Sequence, residues 1–181
     1  MKESNTKSKF TKLQKIVLSI ALLGLIGLIV YSVYGENLSI IKKEGTITEK
    51  ATKDGGKIIE VDEGIKEPIE EEFPMTMLDS QIADKIHAMS HQKIEADEKW
   101  GFLPLTTERV TRLIDVIETN KNEYSNSGLY LRILTRWSEN DFSEIDRDHN
   151  EIWSLQGGTI GRATGILSYE EELEYIEKYY D

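Results

Sequence analysis

The sequence predicts an all-α protein in which a C-terminal bundle of about five helices follows an apolar segment and an acidic stalk. Three observations predict this fold class. Apolar residues recur at helical spacing through residues 74–181. No long stretch of that region alternates apolar and polar residues as a half-buried strand would. Several of its stretches open with serine or threonine, which favour the N-termini of helices.

Composition divides the chain into four segments. Residues 1–15 are basic, residues 16–35 are apolar and uncharged, residues 36–73 are rich in lysine and glutamate, and residues 74–181 contain all three tryptophans. The third segment has the composition of a disordered linker, so it is predicted to be a flexible acidic stalk. An Asp54-Gly55 turn between two partly alternating runs leaves a marginal hairpin as the alternative there.

The apolar run IVLSIALLGLIGLIVYSVYG, at residues 16–35, predicts a single transmembrane helix. A helix of that length spans about 30 Å, which is the thickness of a bilayer's hydrocarbon core. Lysines precede the run, so the positive-inside rule predicts a signal-anchored membrane protein with a cytoplasmic N-terminus and an extracytoplasmic C-terminal domain. A cleaved signal peptide is the alternative, although its apolar region is usually only about 7–15 residues long.

Helical periodicity and capping residues place the helices of the C-terminal region. Thr76 and Asp79 have capping-box spacing at the start of the first helix, and Ser168 and Glu171 form an S-x-x-E box at the start of the last. The helices are predicted at residues 76–94, from Thr106 or Thr107, at residues 127–138, at residues 143–155 and from Ser168.

Charge and composition exclude several functions. The net charge is −11, and the acidic residues lie almost entirely after the apolar run. Such a surface repels nucleic-acid phosphates, so no nucleic-acid partner is expected. The chain has no cysteine, which excludes disulfides, thiol catalysis and cysteine-ligated zinc.

The stretch LQGGTIGRATG contains four glycines and raises the question of a phosphate-binding loop. It lacks the GxxxxGK[ST] pattern, and a predicted helix, not a strand, precedes it. No nucleotide is therefore expected, and the glycines are interpreted as a tight connection between two helices. Arg162 is the only cation of this loop, so it is the candidate there for contact with an anionic ligand. The four glycines are Gly157, Gly158, Gly161 and Gly165.

Two further patterns concern metal ions. DRDHNE, at residues 146–151, begins like an EF-hand loop, but Glu151 and Gly157 occupy the places that need glycine and glutamate. His87 and His91 stand four residues apart on the first predicted helix, a spacing that suits two ligands of one zinc ion, and His149 or Glu95 could complete the site. The zinc-hydrolase motif H-E-x-x-H is broken by Ala88.

The helical region resembles a family of uncharacterised Gram-positive bacterial proteins. The resemblance covers about 100 residues and is most specific in HQK, KWGF and LQGGTIGRATG. It implies an N-terminal membrane segment, a variable acidic stalk and a helical domain. It brings no known activity and no catalytic residues.

The leading hypothesis is a membrane-anchored, non-enzymatic binding module at the cell surface, with a protein or a cell-envelope component as its partner. Trp100 lies in a predicted loop and is, with Arg162, a candidate contact residue. An exposed apolar patch is expected around residues 100–105. No cofactor and no catalytic residue are predicted under this hypothesis. The alternative is a metal-binding protein or metal-dependent hydrolase that uses His87 and His91 to bind zinc.

Overall fold

A computed structural model describes residues 46–51, 57–64 and 67–180 of the protein. All of them belong to one compact unit, Lys43–Asp181. Six helices and two short antiparallel sheets are found among the described residues. In chain order the elements are β1 (Thr46–Ala51), β2 (Lys57–Asp62), α1 (Ile69–Glu72), α2 (Asp79–Ser90), β3 (Ile94–Glu95), α3 (Thr107–Thr119), α4 (Ser127–Ser138), α5 (Ile145–Leu155), β4 (Gly165–Ile166) and α6 (Tyr169–Tyr180).

The hairpin of β1 and β2 corrects the all-α prediction. The strands pair antiparallel from Thr46 opposite Asp62 to Ala51 opposite Lys57, in the region predicted to be a disordered stalk. Ile59 and Val61 are buried in a small cluster that includes Ile176 of α6. An isolated hairpin is marginal in water, so this packing against a helix distant in sequence stabilises the strands.

The predicted starts of the helices are confirmed where the capping signal is local. Thr106 caps α3, and its side chain accepts a hydrogen bond from the backbone N–H of Arg109 at 3.2 Å. Ser168 and Glu171 form the predicted capping box at the start of α6. α4 covers the predicted residues.

The first long helix is shorter than predicted. α2 begins at Asp79, because the Gln81 side chain accepts from the backbone N–H of Leu78 at 2.8 Å and so fixes the first turn there. It ends at Ser90, after which a turn leads directly into β3. β3 pairs with β4, which brings the glycine-rich stretch beside the C-terminal end of α2.

The main core lies among α2, α3, α4 and α5. Trp137 of α4 is one of its largest buried side chains. Trp153 is half-buried and packs against Gly158, where an added Cβ would lie only 2.3 Å from the indole ring. Trp100 is exposed. The core extends before residue 74, since Phe73 is fully buried in it.

The predicted transmembrane segment at residues 16–35 and the basic residues 1–15 lie outside the described residues. The longest described helix, α3, has 13 residues, and this length corresponds to only about 20 Å. Across the described part of the chain, no helix combines the length and apolar character needed to cross a bilayer. The predictions of a single-pass, signal-anchored membrane protein and of an extracytoplasmic location are corrected on this finding and are not carried further.

Candidate metal centre

The three histidines of the chain meet in one cluster between two helices. His87 lies in the last turn of α2, His91 follows its end, and His149 lies on α5, which packs against α2. The chain contains three histidines in 181 residues. One ligand atom from each can be chosen so that all three atoms lie within 4.8 Å of one another. We call His87, His91 and His149 the histidine cluster.

The ring positions match those of imidazoles that share one metal ion. The ring centroids are 4.8 Å apart for His87 and His91, 4.5 Å for His87 and His149, and 5.3 Å for His91 and His149. With metal–nitrogen bonds of about 2.0–2.1 Å in tetrahedral geometry, the centroids would lie about 5 Å apart and the ligating nitrogens about 3.3 Å apart. The ring centroids are therefore at the separation that one shared metal ion requires, while the ligand atoms lie within 4.8 Å of one another.

Burial keeps the cluster uncharged. His149 is fully buried and His91 is 2 % exposed, whereas His87 is half-buried. Burial lowers the pKa of His91 to about 4 and that of His149 to about 3, and it also lowers the pKa of His87. At neutral pH each ring is therefore a neutral imidazole, and this is the form that binds metal ions.

A backbone carbonyl orients His91. Its Nδ1 lies 2.7 Å from the carbonyl oxygen of Gly101. Because a carbonyl can only accept, Nδ1 carries the proton and Nε2 is left with its lone pair. Metal-ligating histidines commonly donate their second nitrogen to a carbonyl in this way. Gly101 has φ +85°, so glycine suits the turn that presents the carbonyl.

Gln156 orients His87. The two side chains are hydrogen-bonded, and this bond raises the pKa of His87 against the larger lowering effect of burial. The Gln156 amide nitrogen donates to Asp84 Oδ1 at 2.7 Å, which leaves the amide oxygen to accept from the imidazole. The chain from His87 through Gln156 to Asp84 therefore holds the ring from its outer side.

His149 has close neighbours at both ring nitrogens. Nε2 lies 3.1 Å from the carbonyl oxygen of Gly161, and Nδ1 lies 2.9 Å from Ser90 Oγ. Ser90 Oγ also lies 2.6 Å from the carbonyl oxygen of His87. These three contacts need three protons, but a neutral imidazole and a hydroxyl supply only two. In either tautomer of neutral His149, one contact has no proton.

The glycine-rich loop holds His149 and does not resemble a phosphate site. Gly161 has φ +82°, and a Cβ added there would lie 2.5 Å from the backbone oxygen of Glu98. Only glycine allows the backbone to come this close to Glu98, and this position of the backbone places the Gly161 carbonyl beside His149. Asn150 fixes the next turn, because its amide exchanges two hydrogen bonds with the backbone of Ala163 at 2.8 and 3.0 Å.

The other predicted site residues do not belong to the cluster. Arg162 is exposed and lines a surface groove with Leu129 and Arg147. Trp100 is 73 % exposed and lines a cleft that His87 borders. Within the stretch expected to form an apolar patch, Phe102 and Leu105 are buried, so Trp100 is its main exposed side chain.

In the EF-hand-like stretch, two of the side chains that could bind calcium are engaged with other parts of the protein. Asp148 is buried, and it pairs with Arg136 and accepts from the indole N–H of Trp137 at 3.0 Å. Since Asn150 is bound to backbone, two of the three oxygen ligands proposed by the pattern are already engaged.

Sequence reasoning missed the groups around the histidines. Ser90 lies between His87 and His91 and could have been noticed from its position in the same turn. Lys99 Nζ donates to the carbonyl of His91 at 3.1 Å, and burial lowers the pKa of this lysine to about 8. The Gly101 and Gly161 carbonyls are backbone atoms, and no residue type identifies them.

The fold and the cluster together define a small, mainly helical domain with a buried three-histidine centre. The model of a family of unknown function, DUF6241, matches residues 86–177. The chain therefore belongs to this family, and the matched range contains all three histidines. No curated protein and no solved structure gave a match.

Proposed function

We propose that this domain binds one divalent transition-metal ion of the zinc type through His87, His91 and His149. The observation that carries the proposal is that all three histidines of the chain converge on one point, one from α2, one from the residue after its end and one from α5. Histidines placed only for packing have no reason to collect in one place.

The chemistry of the donor set supports a metal of this class. Neutral imidazoles suit zinc, copper, nickel and cobalt, whereas magnesium and calcium prefer oxygen ligands. His91 and His87 each have a partner at one nitrogen, Gly101 and Gln156, whereas His149 has neighbours at both, Gly161 and Ser90. Such outer partners fix the tautomer and the orientation of ligating rings.

The missing proton at His149 supports the same proposal. A metal ion that takes the lone pair of one His149 nitrogen would replace the present contact at that nitrogen, so the two remaining contacts would need only two protons. The hydroxyl of Ser90 can then donate to the carbonyl of His87. Protonation of the ring would also solve the shortage, but burial disfavours the imidazolium and lowers the pKa of His149 to about 3.

Three protein ligands are typical of zinc sites that keep a fourth position for water or substrate. His87 is half-buried and borders a cleft, so that side of the cluster is the accessible one. We assign metal binding and no reaction. The metal proposal also replaces the binding-module hypothesis as the leading one, since the apolar patch expected at residues 100–105 is reduced to Trp100.

Calorimetric titration of the full chain, without a histidine tag, tests the proposal. We expect one zinc ion per chain, and we expect His87→Ala to weaken binding by more than about a hundredfold, because loss of an outer partner alone costs about 10–100-fold. His87 is half-buried, so this variant keeps the fold better than one at His91 or His149.

Lys85→Ala is the matched control, since Lys85 is also half-buried and also lies on α2. It should bind zinc as the unmodified chain does. Equal zinc binding by the chain and by His87→Ala would contradict the proposal, as would a chain that binds no zinc.

A further inference from the structure

A cleft of about 670 Å³ lies beside the histidine cluster. Residues from α1, from α2 and from the loop that carries Trp100 line it, and His87 and Ala88 belong to its lining. Its volume is within the range of about 300–1,000 Å³ that is usual for small-molecule sites. We call it the Trp100 cleft.

Trp100 is the most unusual residue of this cleft. Its side chain is 73 % exposed, the largest exposed fraction among the exposed large apolar residues of the described part of the chain. The neighbouring Gly101 is fixed by the hydrogen bond from His91, so the indole stands on an anchored piece of backbone. An exposed indole face is the preferred partner of an organic cation.

The carboxylates of the cleft differ in how far they are already neutralised. Glu72 pairs with Arg109 at 3.0 Å, and Asp84 accepts a hydrogen bond from Gln156. Glu71 is exposed, and within the described residues its carboxylate has no hydrogen bond and no ion pair. Among the described residues, the Glu71 carboxylate therefore has no partner that a ligand would have to displace.

The one cation of the lining does not cancel that charge. Lys85 Nζ lies over the ring of Phe73, 5.5 Å from its centroid. The lining therefore combines an exposed indole, a free carboxylate and two further acidic residues with a single lysine. This combination favours a positively charged ligand over an anionic one.

We infer that the Trp100 cleft binds a small ligand that carries a guanidinium or amine cation, with the cation over Trp100 and near Glu71. The inference goes beyond metal binding and does not need it, although the two sites share His87. A metal ion bound by the cluster would stand next to such a ligand.

The test uses N-acetyl-arginine amide and its uncharged counterpart N-acetyl-citrulline amide, titrated into the full chain in chelator and again in zinc. Both are followed by tryptophan fluorescence and by calorimetry. The arginine compound should bind on the order of tenfold more tightly than the citrulline compound. Trp100→Leu should reduce that preference, and Glu71→Gln should weaken binding of the arginine compound alone.

Glu70→Gln is the control, because Glu70 neighbours Glu71 on α1 and does not line the cleft. It should leave binding unchanged. Equal binding of the two compounds, no binding of either, or equal losses in Glu70→Gln and Glu71→Gln would overturn the inference. Since the titrations in chelator contain no metal, they test the inference even if the zinc proposal fails.

Discussion

Two buried polar regions begin at adjacent residues of this protein and differ in how completely their hydrogen bonds are satisfied. His91 belongs to the histidine cluster, whereas Gln92 and Lys93 contact the hairpin and α6. We call Gln92, Lys93 and Glu172 the Gln92 network. Its members are as deeply buried as His91, with Lys93 5 % and Glu172 6 % exposed.

In the Gln92 network every contact has its proton. The Gln92 amide donates to Ile59 at 3.0 Å and to Glu172 at 2.7 Å, and its oxygen accepts from the backbone of Leu105 at 3.0 Å. Lys93 donates to both oxygens of Glu172, at 2.8 and 2.9 Å. A closed network of this kind joins the hairpin, the loop before α3 and α6, and its role is structural.

In the histidine cluster the three contacts around His149 share two protons. The comparison teaches that burial alone does not identify a functional polar group, because both regions are buried. The distinguishing property is whether the protein itself supplies every partner. The first region is complete without a ligand, whereas the contacts of the second are one proton short.

The largest loss of unfolding free energy is expected for a variant that breaks the Gln92 network. Glu172→Gln leaves the ammonium of Lys93 buried without its carboxylate, which should cost about 3–5 kcal/mol of unfolding free energy. Urea unfolding measures it. The double variant Lys93→Met with Glu172→Gln removes the charge and keeps an acceptor for Gln92, so it should regain most of the loss. If the single and double variants are equally unstable, the unpaired charge of Lys93 is not the cause of the lost unfolding free energy.

The second prediction concerns the loop that holds His149. Gly161→Ala combines a left-handed backbone with a Cβ 2.5 Å from the Glu98 carbonyl, and it should cost about 2–4 kcal/mol. It should also lower zinc affinity about 10–100-fold, because the displaced carbonyl no longer orients the ring. Thermal unfolding and calorimetry measure the two effects.

Gly157→Ala is the matched control for that variant. Gly157 also has a positive φ of +71°, but an added Cβ there meets nothing within 4 Å. It should cost only about 1–2 kcal/mol and leave zinc affinity unchanged. Similar losses of zinc affinity in both variants would show that the loop acts through general strain.

The third prediction is a pH dependence in chelator. The folded-state pKa is lowered to about 4 for His91 and to about 3 for His149, so below pH 6.5 the unfolded chain binds more protons than the folded one. The contribution of these two histidines to the unfolding free energy is thus present above pH 6.5 and is lost as the pH falls below that value. The charges of Lys99 and of the other two imidazoles also lower the pKa of His149. Asp84 is the nearby acid, and it raises the pKa of His87.

Urea unfolding between pH 7.5 and 5.5 measures this loss before most carboxylates titrate. We expect the unfolding free energy to fall by about 2–3 kcal/mol, from two groups at about 1.4 kcal/mol for each pH unit. A flat profile over this range would mean that the two rings accept protons freely in the folded state and are not enclosed as described.

The smallest effect is expected at Trp100. Because its side chain is largely exposed, Trp100→Leu should change the unfolding free energy by less than about 0.5 kcal/mol. The same measurement on Trp137→Leu, a fully buried indole, should show a loss of several kcal/mol. A large loss at Trp100 would assign it to the core and remove it from the cleft.

The parts of the fold set by neighbouring residues were predictable from the sequence, and the parts set by distant contacts were not. The cap at Thr106, the box at Ser168 and the pairing of His87 with His91 each depend on residues only three or four positions apart. The hairpin was predicted only as a marginal alternative, because its buried strand packs on α6, more than a hundred residues later.

The candidate site divides in the same way. The sequence proposed His149 as a possible third ligand, but only the packing of α5 on α2 places it beside the other two rings. The carbonyls of Gly101 and Gly161 left no signal, because they are backbone atoms whose position depends on tertiary structure. The proton shortage follows from three distances that no sequence pattern encodes.

The most direct test is a long-range ¹⁵N spectrum of the histidine side chains in the full chain, recorded first in chelator and then with one equivalent of zinc. The chain has three histidines, so each ring can be followed separately. Our account predicts that all three rings respond to zinc together, each with one protonated nitrogen and one metal-bound nitrogen. Rings that keep their chelator spectra, or a response confined to His87, would contradict the three-histidine centre.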